Sequence, residues 1–525
     1  MTKPQSVFLG IGIGALIVFI IHPASRSLLL QPWHTEGIKS EILNNPLLQE
    51  PSPLPKYKEN DLRIPEKYFL IANLIARNTN TYHINPINQQ DYNLAVEFFH
   101  RLEQQEPDNA LWPQLSAGIS CKSKNFEECL GYLEKASKKN YWDNGSVLIV
   151  NDLWKRMESL QNQRFAWQGL FAIRFKPVDT TTLMLSISND VKWREKEEYE
   201  QMKFRSYFII NAGLIRDFST TIHDGKEASK AIFQIAGSRL HPDEGMTPSA
   251  IETERVDFVN TIEKSLGPDM ASRMRRELRS TSGWHVLLKS EQDIKNAHRY
   301  VSRLSVLVTS LPSMILYSGS MFLLIMVLGK YLMSSINLNS KSNIKMVLFI
   351  SLLVGAIFYI IFRDFYVSGI FVLLSVFVTL PKSISKVSFV AFTKQQSMLI
   401  TFIGLVSLCL FCLWVFGVNP TSLFLSEQAG ILSVFVATPS LWLQGGLLIV
   451  GLSTLLSFNW AHKDDYSIPS VLGAILSHLG RRMVVLTLFL IVILVPICLY
   501  VDNNLQLVVE SWINNEPRAF RVTQQ

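Results

Sequence analysis

Hydrophobic and polar positions divide the chain into two patterns. From Ser305 to Val501 charge is confined to short islands between apolar runs of about membrane length, whereas Gln31 to Tyr300 mixes charged, aromatic and aliphatic residues as a soluble domain does. Within the mixed half the stretch QDYNLAVEFFHRLEQQEPDN, residues 90 to 109, places Leu94, Val96, Phe98, Phe99 and Leu102 on one broad helical face. Asp91 is suited to cap its start, and Pro107 falls where a helix stops. Thirty-four residues on, KNFEECLGYLEKASKKN repeats the design: Tyr92 becomes Phe126, Ala95 becomes Cys129, Phe99 becomes Leu133 and Leu102 becomes Ala136. A period of 34 belongs to helix-turn-helix solenoids.

With its aromatic-small-aromatic spacing and the closing Pro107-Asp108-Asn109, the segment Asp91 to Lys139 resembles the tetratricopeptide repeat family. Ala110 to Ser120 is then the first helix of the second unit. Two features depart from the family pattern. NTNTYHINPINQQ, before Asp91, is loop-like, which moves the preceding helix to Pro65 to Arg77; beyond Asn140 the register fades, leaving Val147 to Glu158 and Gln163 to Ile173 as a degenerate third pair. The resemblance implies an open helical array whose concave face binds a peptide or protein, and family geometry puts Leu111, Gln114 and Gly118 on that face. The plainer alternative is that the repeats only build an all-helical domain.

The rest of this half also predicts helices. Asp190 is placed to cap a long segment ending at Phe218, followed by Gly225 to Leu240, Pro248 to Leu266 and a helix opened by Pro268-Asp269. That last helix gathers Arg273, Arg275, Arg276 and Arg279 within two turns, either as a solvated face or as a contact for anionic lipid headgroups.

Seven apolar runs are read as membrane spans. Val7 to Ile21 is an anchor, retained rather than cleaved because His22 breaks the small-residue pattern before Ala24, and its Gly10 and Gly14 offer a flat strip to another helix. Six more follow: Ser305 to Leu328, Met346 to Phe362, Phe365 to Leu380, Ser397 to Val418, Gly430 to Phe458 and Met483 to Val501. Alternate short loops hold nine lysines and arginines while the intervening loops hold only Arg363, which puts the first set inside and the soluble half outside. Past Val501, residues Leu505, Val508, Val509, Trp512 and Ile513 recur at helical spacing. This amphipathic tail is expected in the membrane interface with Trp512 at headgroup depth, docking under the external domain being the alternative.

Composition adds little to this picture, and chemistry narrows it. The net charge of +7 comes without a basic block interleaved with aromatics, so no nucleic-acid partner is expected and lipid headgroups account for the excess. There is no His-Glu-x-x-His pair, no Gly-x-Ser-x-Gly elbow and no Walker phosphate loop; His241, Pro242, Asp243 and Glu244 read as an exposed turn. The six later spans contain no Asp, Glu, Lys, Arg or His, which weighs against ion-coupled transport and intramembrane proteolysis. Cys409 and Cys412 sit inside a span as packing residues. A hairpin turning at Lys124 puts Cys121 opposite Glu127 and Cys129 nearly a turn away, so Cys129 is read as a packing residue rather than a disulfide partner.

The expected protein is all-α: an N-terminal membrane anchor (1–24), an extracytoplasmic tetratricopeptide-like domain (25–180), a further extracytoplasmic helical region (181–303), a six-helix transmembrane bundle (304–501) and the amphipathic tail (502–525). Its expected role is protein-protein interaction or complex assembly in a bacterial envelope, as a multi-pass plasma-membrane protein without enzymatic activity, metal or cofactor. Its partners are a protein or peptide, the lipid bilayer and other membrane subunits. The competing reading is a permease-like subunit of an ABC-type exporter, with PKSISKVSFVAFTKQQ and SVLGAILSHLGRR as ATPase-contacting helices.

Overall fold

The computed structural model describes residues 3–29, 62–81, 89–161, 163–173, 176–189, 192–236, 248–286, 289–334, 349, 352–353, 356, 392–417, 449–460 and 468–521. Among these residues the secondary structure is helical, without strands. The chain forms two units, one of residues 1–39, 158–165 and 299–505, the other of 40–157, 166–298 and 506–525.

The second unit is a helical domain. In chain order after α1 (Lys3–Ile21), its helices are α2 (Pro65–Thr81), α3 (Gln89–Gln105), α4 (Leu111–Lys122), α5 (Phe126–Ser137), α6 (Ser146–Gln161), α7 (Ala166–Ile173), α8 (Asp179–Ser186), α9 (Glu198–Phe218), α10 (Ile222–Ile235), α11 (Pro248–Leu266) and α12 (Pro268–Val286). The helix expected from Asp190 onward is divided: a 3₁₀ turn at Lys192–Glu195 precedes α9.

Helix α4 is the hub of this domain. Every residue from Leu111 to Cys121 is buried, because α3 and α5 flank it and α8 covers it. Pro113 is accommodated in the first turn, where its missing N–H has no helical acceptor to lose. One hydrophobic cluster runs from Leu62 to Leu278 and so joins the residues on either side of position 180. Its aromatic centre stacks Phe69 on Trp112 at 5.4 Å, with Tyr68 edge-on to the same indole at 5.8 Å. Helix α9 extends the core, packing against α5, α10, α11 and α12.

The turn between α4 and α5 overturns the expectation for Cys121 and Cys129, which form a disulfide with Cα atoms 5.3 Å apart. Lys124 takes a left-handed φ of 67°, while the Lys124 and Asn125 amides donate back to the Cys121 and Ser120 carbonyls, the pattern of a Schellman cap. Asn125 then caps α5 by accepting from the Glu128 amide. This reversal is sharper than a hairpin symmetric about Lys124, and it brings the first turn of α5 beside the last turn of α4.

The first unit contains the apolar helices. Among the described residues two helices are long and apolar enough to cross a membrane, within α13 (Glu291–Ser334) and α15 (Ile468–Ala519); a bent pair, Gly10–Ile21 with Pro23–Leu29 at 103°, brings the total to three if it counts as one span. The expected spans Ser305 to Leu328 and Met483 to Val501 fall on α13 and α15, and Ser397 to Val418 falls on α14 (Lys394–Gly417). Those at Met346 to Phe362 and Phe365 to Leu380 lie outside the described residues apart from positions 349, 352–353 and 356, and only the helix Ile449–Trp460 represents Gly430 to Phe458.

Helices α13 and α15 approach to backbone contact. A Cβ on Gly473 would lie 2.7 Å from the Gly329 carbonyl oxygen, and one on Gly480 would lie 2.5 Å from that of Phe322. Such proximity is the small-residue packing of membrane helices. Along α13 the hydroxyls of Thr309, Ser310 and Ser318 donate to carbonyls four residues earlier, which keeps them satisfied without water. Among the described residues a Cβ added at Gly10 or Gly14, the strip expected on α1, would meet no atom within 4 Å, whereas one at Gly12 would lie 3.3 Å from the Leu488 Cβ.

Candidate functional site

The helical domain is built on a ladder of turns. Asn109, in the turn between α3 and α4, donates through Nδ2 to the Asp143 carbonyl at 3.0 Å and accepts at Oδ1 from the Asp143 amide at 3.1 Å. The Ala110 amide adds a bond to the Tyr141 carbonyl at 2.8 Å. Asn109 and Asp143 are 34 positions apart, the period of the apolar pattern. The next rung repeats the device: Asn144 donates to the Pro177 carbonyl at 3.0 Å across 33 positions. Beside the ladder Gly145 has φ 71° and leaves room for Phe69, whose ring atoms would lie 2.3 Å from an added Cβ.

Glu106 ties the first rung to its neighbours. Its carboxylate accepts from the Tyr68 hydroxyl, from Asn109 Nδ2 at 2.9 Å and from Trp112 Nε1 at 3.0 Å. Burial first, then the Glu106 bond, pushes the Tyr68 phenol well above its ordinary value, so this proton stays in place at neutral pH.

The three residues expected to meet a partner lie in the interior instead. Leu111 is 1% exposed. Gln114 donates to Asn211 Oδ1 at 3.1 Å, and Asn211 Nδ2 in turn bonds the Leu133 carbonyl at 2.9 Å, which links α4 and α5 to α9. Gly118 faces Leu183 so closely that an added Cβ would come within 2.7 Å of its Cγ. The domain's own α8 and α9 therefore fill the face on which a peptide was expected. Sequence pattern marked these positions as apolar, polar and small in turn, but it did not carry the return of later helices onto them.

Of the arginines on α12, Arg273 bonds the Ser137 carbonyl at 3.0 Å and Arg275 pairs with Glu263 at 2.7 Å, while Arg276 and Arg279 are exposed. Trp512 has the placement of the docked alternative. It is 4% exposed, with its ring 4.4 Å from that of His298 and 5.4 Å from that of Phe520. Val509 and Ile513 are fully buried on the same stripe, Val509 against Gly169 of α7.

Glu516 fastens this segment to the domain. Helix α15 breaks at Asn515, whose Oδ1 accepts from the Arg518 amide, and the break aims the Glu516 carboxylate at the N-terminus of α10. There Oε2 accepts from the Ile222 amide at 3.0 Å and Oε1 lies 2.8 Å from His298 Nε2. Burial alone raises this carboxyl, but His298, Lys176 and the Ile222 amide outweigh it and hold it below its ordinary value. Lys176 also lies near Asp224, the third residue of α10, and burial lowers the Lys176 ammonium. Neither Glu516 nor Asp224 carries a local motif that separates it from a surface carboxylate.

Among the described residues no three His, Cys, Asp or Glu side chains form a metal-binding group; His241 to Glu244 lie outside those residues, as do the side chains of Cys409 and Cys412. Comparison with known proteins finds no matching family model, no matching curated protein and no matching solved structure.

Proposed function

We propose that this membrane protein presents a repeat-type helical domain for protein-protein contact and complex assembly in the cell envelope. The supporting observation is the ladder Asn109–Asp143 and Asn144–Pro177, because bonds between successive turns at the repeat period give an array whose register does not depend on apolar packing alone. With Leu111, Gln114 and Gly118 covered by α8 and α9, partner contact falls to outward positions such as Leu94, which is 45% exposed.

The extracytoplasmic orientation rests on the charges of the short loops. The Cys121–Cys129 bond favours it independently, since disulfides persist in oxidising compartments. Two measurements on one preparation test the proposal. In intact cells an impermeant protease should cut the helical domain, and Cys121 and Cys129 should resist alkylation until reduced. Capture of the intact protein in mild detergent, with a photo-crosslinker at position 94, should then return an envelope protein in adduct. Cleavage only after lysis, together with two free thiols, would refute the orientation; an ATPase in the adduct would replace assembly with the exporter reading.

A further inference from the structure

We propose that the basic cluster where α13 ends and α14 and α15 begin binds the phosphate of an anionic phospholipid headgroup, a property of the first unit separate from the assembly role. Four of the nine short-loop cations, Lys330, Lys394, Arg481 and Arg482, come to this end of the unit from three helices. Helix packing places them. A Cβ on Gly329 would lie 2.6 Å from the Gly473 carbonyl oxygen and 2.6 Å from the Ser477 amide, so Lys330 stands beside the turn of α15 that leads to Arg481. Helix α14 joins through Ser397, whose hydroxyl is 3.0 Å from His478 Nε2, and through Thr401, whose hydroxyl accepts from Arg482 at 2.6 Å. Lys394 opens α14 one turn before Ser397.

Charge gives the ligand class. Arg482 bonds neutral oxygens, those of Thr401 and of the Ser397 carbonyl at 3.3 Å, which fix its guanidinium without offsetting its charge. Half-buried Arg481 makes no hydrogen bond or ion pair among the described residues, and the charged groups close enough to act on Lys330 and His478 are Arg481 and Arg482, cations themselves. No described carboxylate pairs with Lys394, Arg481 or Arg482. Asp502, on the same helix, is 20 positions beyond Arg482, about 30 Å at the rise of an α-helix. Like charges held together without a counter-ion are costly, and guanidinium forks match phosphate oxygens.

Depth separates a lipid from a free phosphate. The apolar runs of three helices reach their limits at this level, Leu328 on α13, Ser397 on α14 and Met483 on α15. Trp460, which closes the helix Ile449–Trp460, lies here too, its ring 5.9 Å from Phe392, which is in turn 5.5 Å from the ring of His478. Tryptophan at the boundary of apolar helices marks headgroup depth. Directly after Ser397 and Thr401 come Met398 and Phe402, 65% and 62% exposed, which offer apolar surface to acyl chains. A free phosphate has no use for that surface. Cations gathered between membrane helices at headgroup depth, with apolar side chains beside them, are complementary to a lipid that carries net negative charge.

The test is native mass spectrometry of the full-length protein in mild detergent, titrated with dioleoyl phosphatidylglycerol. Dioleoyl phosphatidylcholine serves as the lipid whose phosphate is neutralised by its own headgroup, and glycerol phosphate as the headgroup without chains. A saturable phosphatidylglycerol adduct is expected, matched by neither control. Arg481→Gln should weaken it about fivefold, the contribution of one cation near an anionic surface, with no change in thermal melt because this side chain bonds nothing described. Lys394→Gln, at an exposed side chain, should weaken it less and keeps the test valid if Arg481→Gln impairs folding. Arg276→Gln combined with Arg279→Gln removes two exposed charges from α12 and should leave binding unchanged. The proposal is overturned by absence of a saturable adduct, by equal binding of phosphatidylcholine, by glycerol phosphate binding as tightly as the lipid, or by an equal loss in the α12 variant. Wild-type affinity in a folded Arg481→Gln, or in Lys394→Gln where that variant fails to fold, overturns it as well.

Discussion

The helical domain and the apolar helices of the first unit solve the same packing problem with different residues. In the domain, aromatic side chains fill the core and polar side chains bridge one turn to the next, as Glu106 and Asn109 do. In the first unit, α13 and α15 meet through Gly329, Gly473 and Gly480, and their hydroxyls turn back onto their own helices. The difference follows from the solvent. Water rewards burial of large apolar surface and competes for every polar group, so the domain gains from aromatics and keeps only the bridges it can shield. Lipid gives no such reward for burying apolar surface, which leaves close van der Waals approach as the attraction between helices.

Breaking the first-unit contact should have the largest effect. Gly473→Leu places a branched side chain against the Gly329 carbonyl and the Met333 backbone amide, neither of which can move aside as a flexible side chain would. A loss of about 3 kcal/mol is expected for α13–α15 packing. Thermal melting in detergent should fall while the protease resistance of the helical domain stays as in wild type. Loss of both together would show that the units are not stabilised by separate means.

A smaller effect is expected inside the domain. Glu516→Gln weakens a charge-assisted bond to the Ile222 amide and the contact with His298, at a cost of about 2 kcal/mol near neutral pH. Its pH dependence has a definite sign. The Glu516 carboxyl sits below its ordinary value of 4.5 in the folded protein, so its contribution is fully present above pH 4.5 and fades as pH falls through the lowered value. The stability gap between wild type and Glu516→Gln should therefore close on acidification below pH 4.5. A gap that stays constant to lower pH would assign the effect to packing of the Trp512 segment.

The smallest expected change is a gain. Lys124 holds a left-handed conformation that glycine adopts without the Cβ penalty, so Lys124→Gly should stabilise the domain by about 1 kcal/mol, read from denaturant unfolding. A neutral or negative result would mean that the Cys121–Cys129 link already fixes this turn in the unfolded chain as well.

Much of the helical domain was legible from side-chain period. Residues Leu94 to Leu102 and their counterparts 34 positions later fall on α3 and α5, the third pair falls on α6 and α7, and prolines 248 and 268 open α11 and α12 as their fixed φ favours. The rung between Asn109 and Asp143 was latent in the same period. Site residues were legible only as residue types: Gly118 as small, Leu111 as apolar, Gln114 as polar, with no indication that α8 and α9 return to cover them.

The sequence by itself determined what depends on neighbours along the chain: all-helical elements, the division between apolar and mixed halves, and the repeat period. Tertiary structure decided what depends on distant partners. The Cys121–Cys129 pairing depended on one left-handed residue, which backbone sterics permit but spacing does not reveal. The stripe of Val509, Trp512 and Ile513 has the same hydrophobicity whether it faces lipid or protein; the Glu516 bond at Ile222 and the ring of His298, 294 and 214 positions away along the chain, put it inside the domain. Amphipathicity specifies that a helix face must be buried, and only the positions of other helices specify against what.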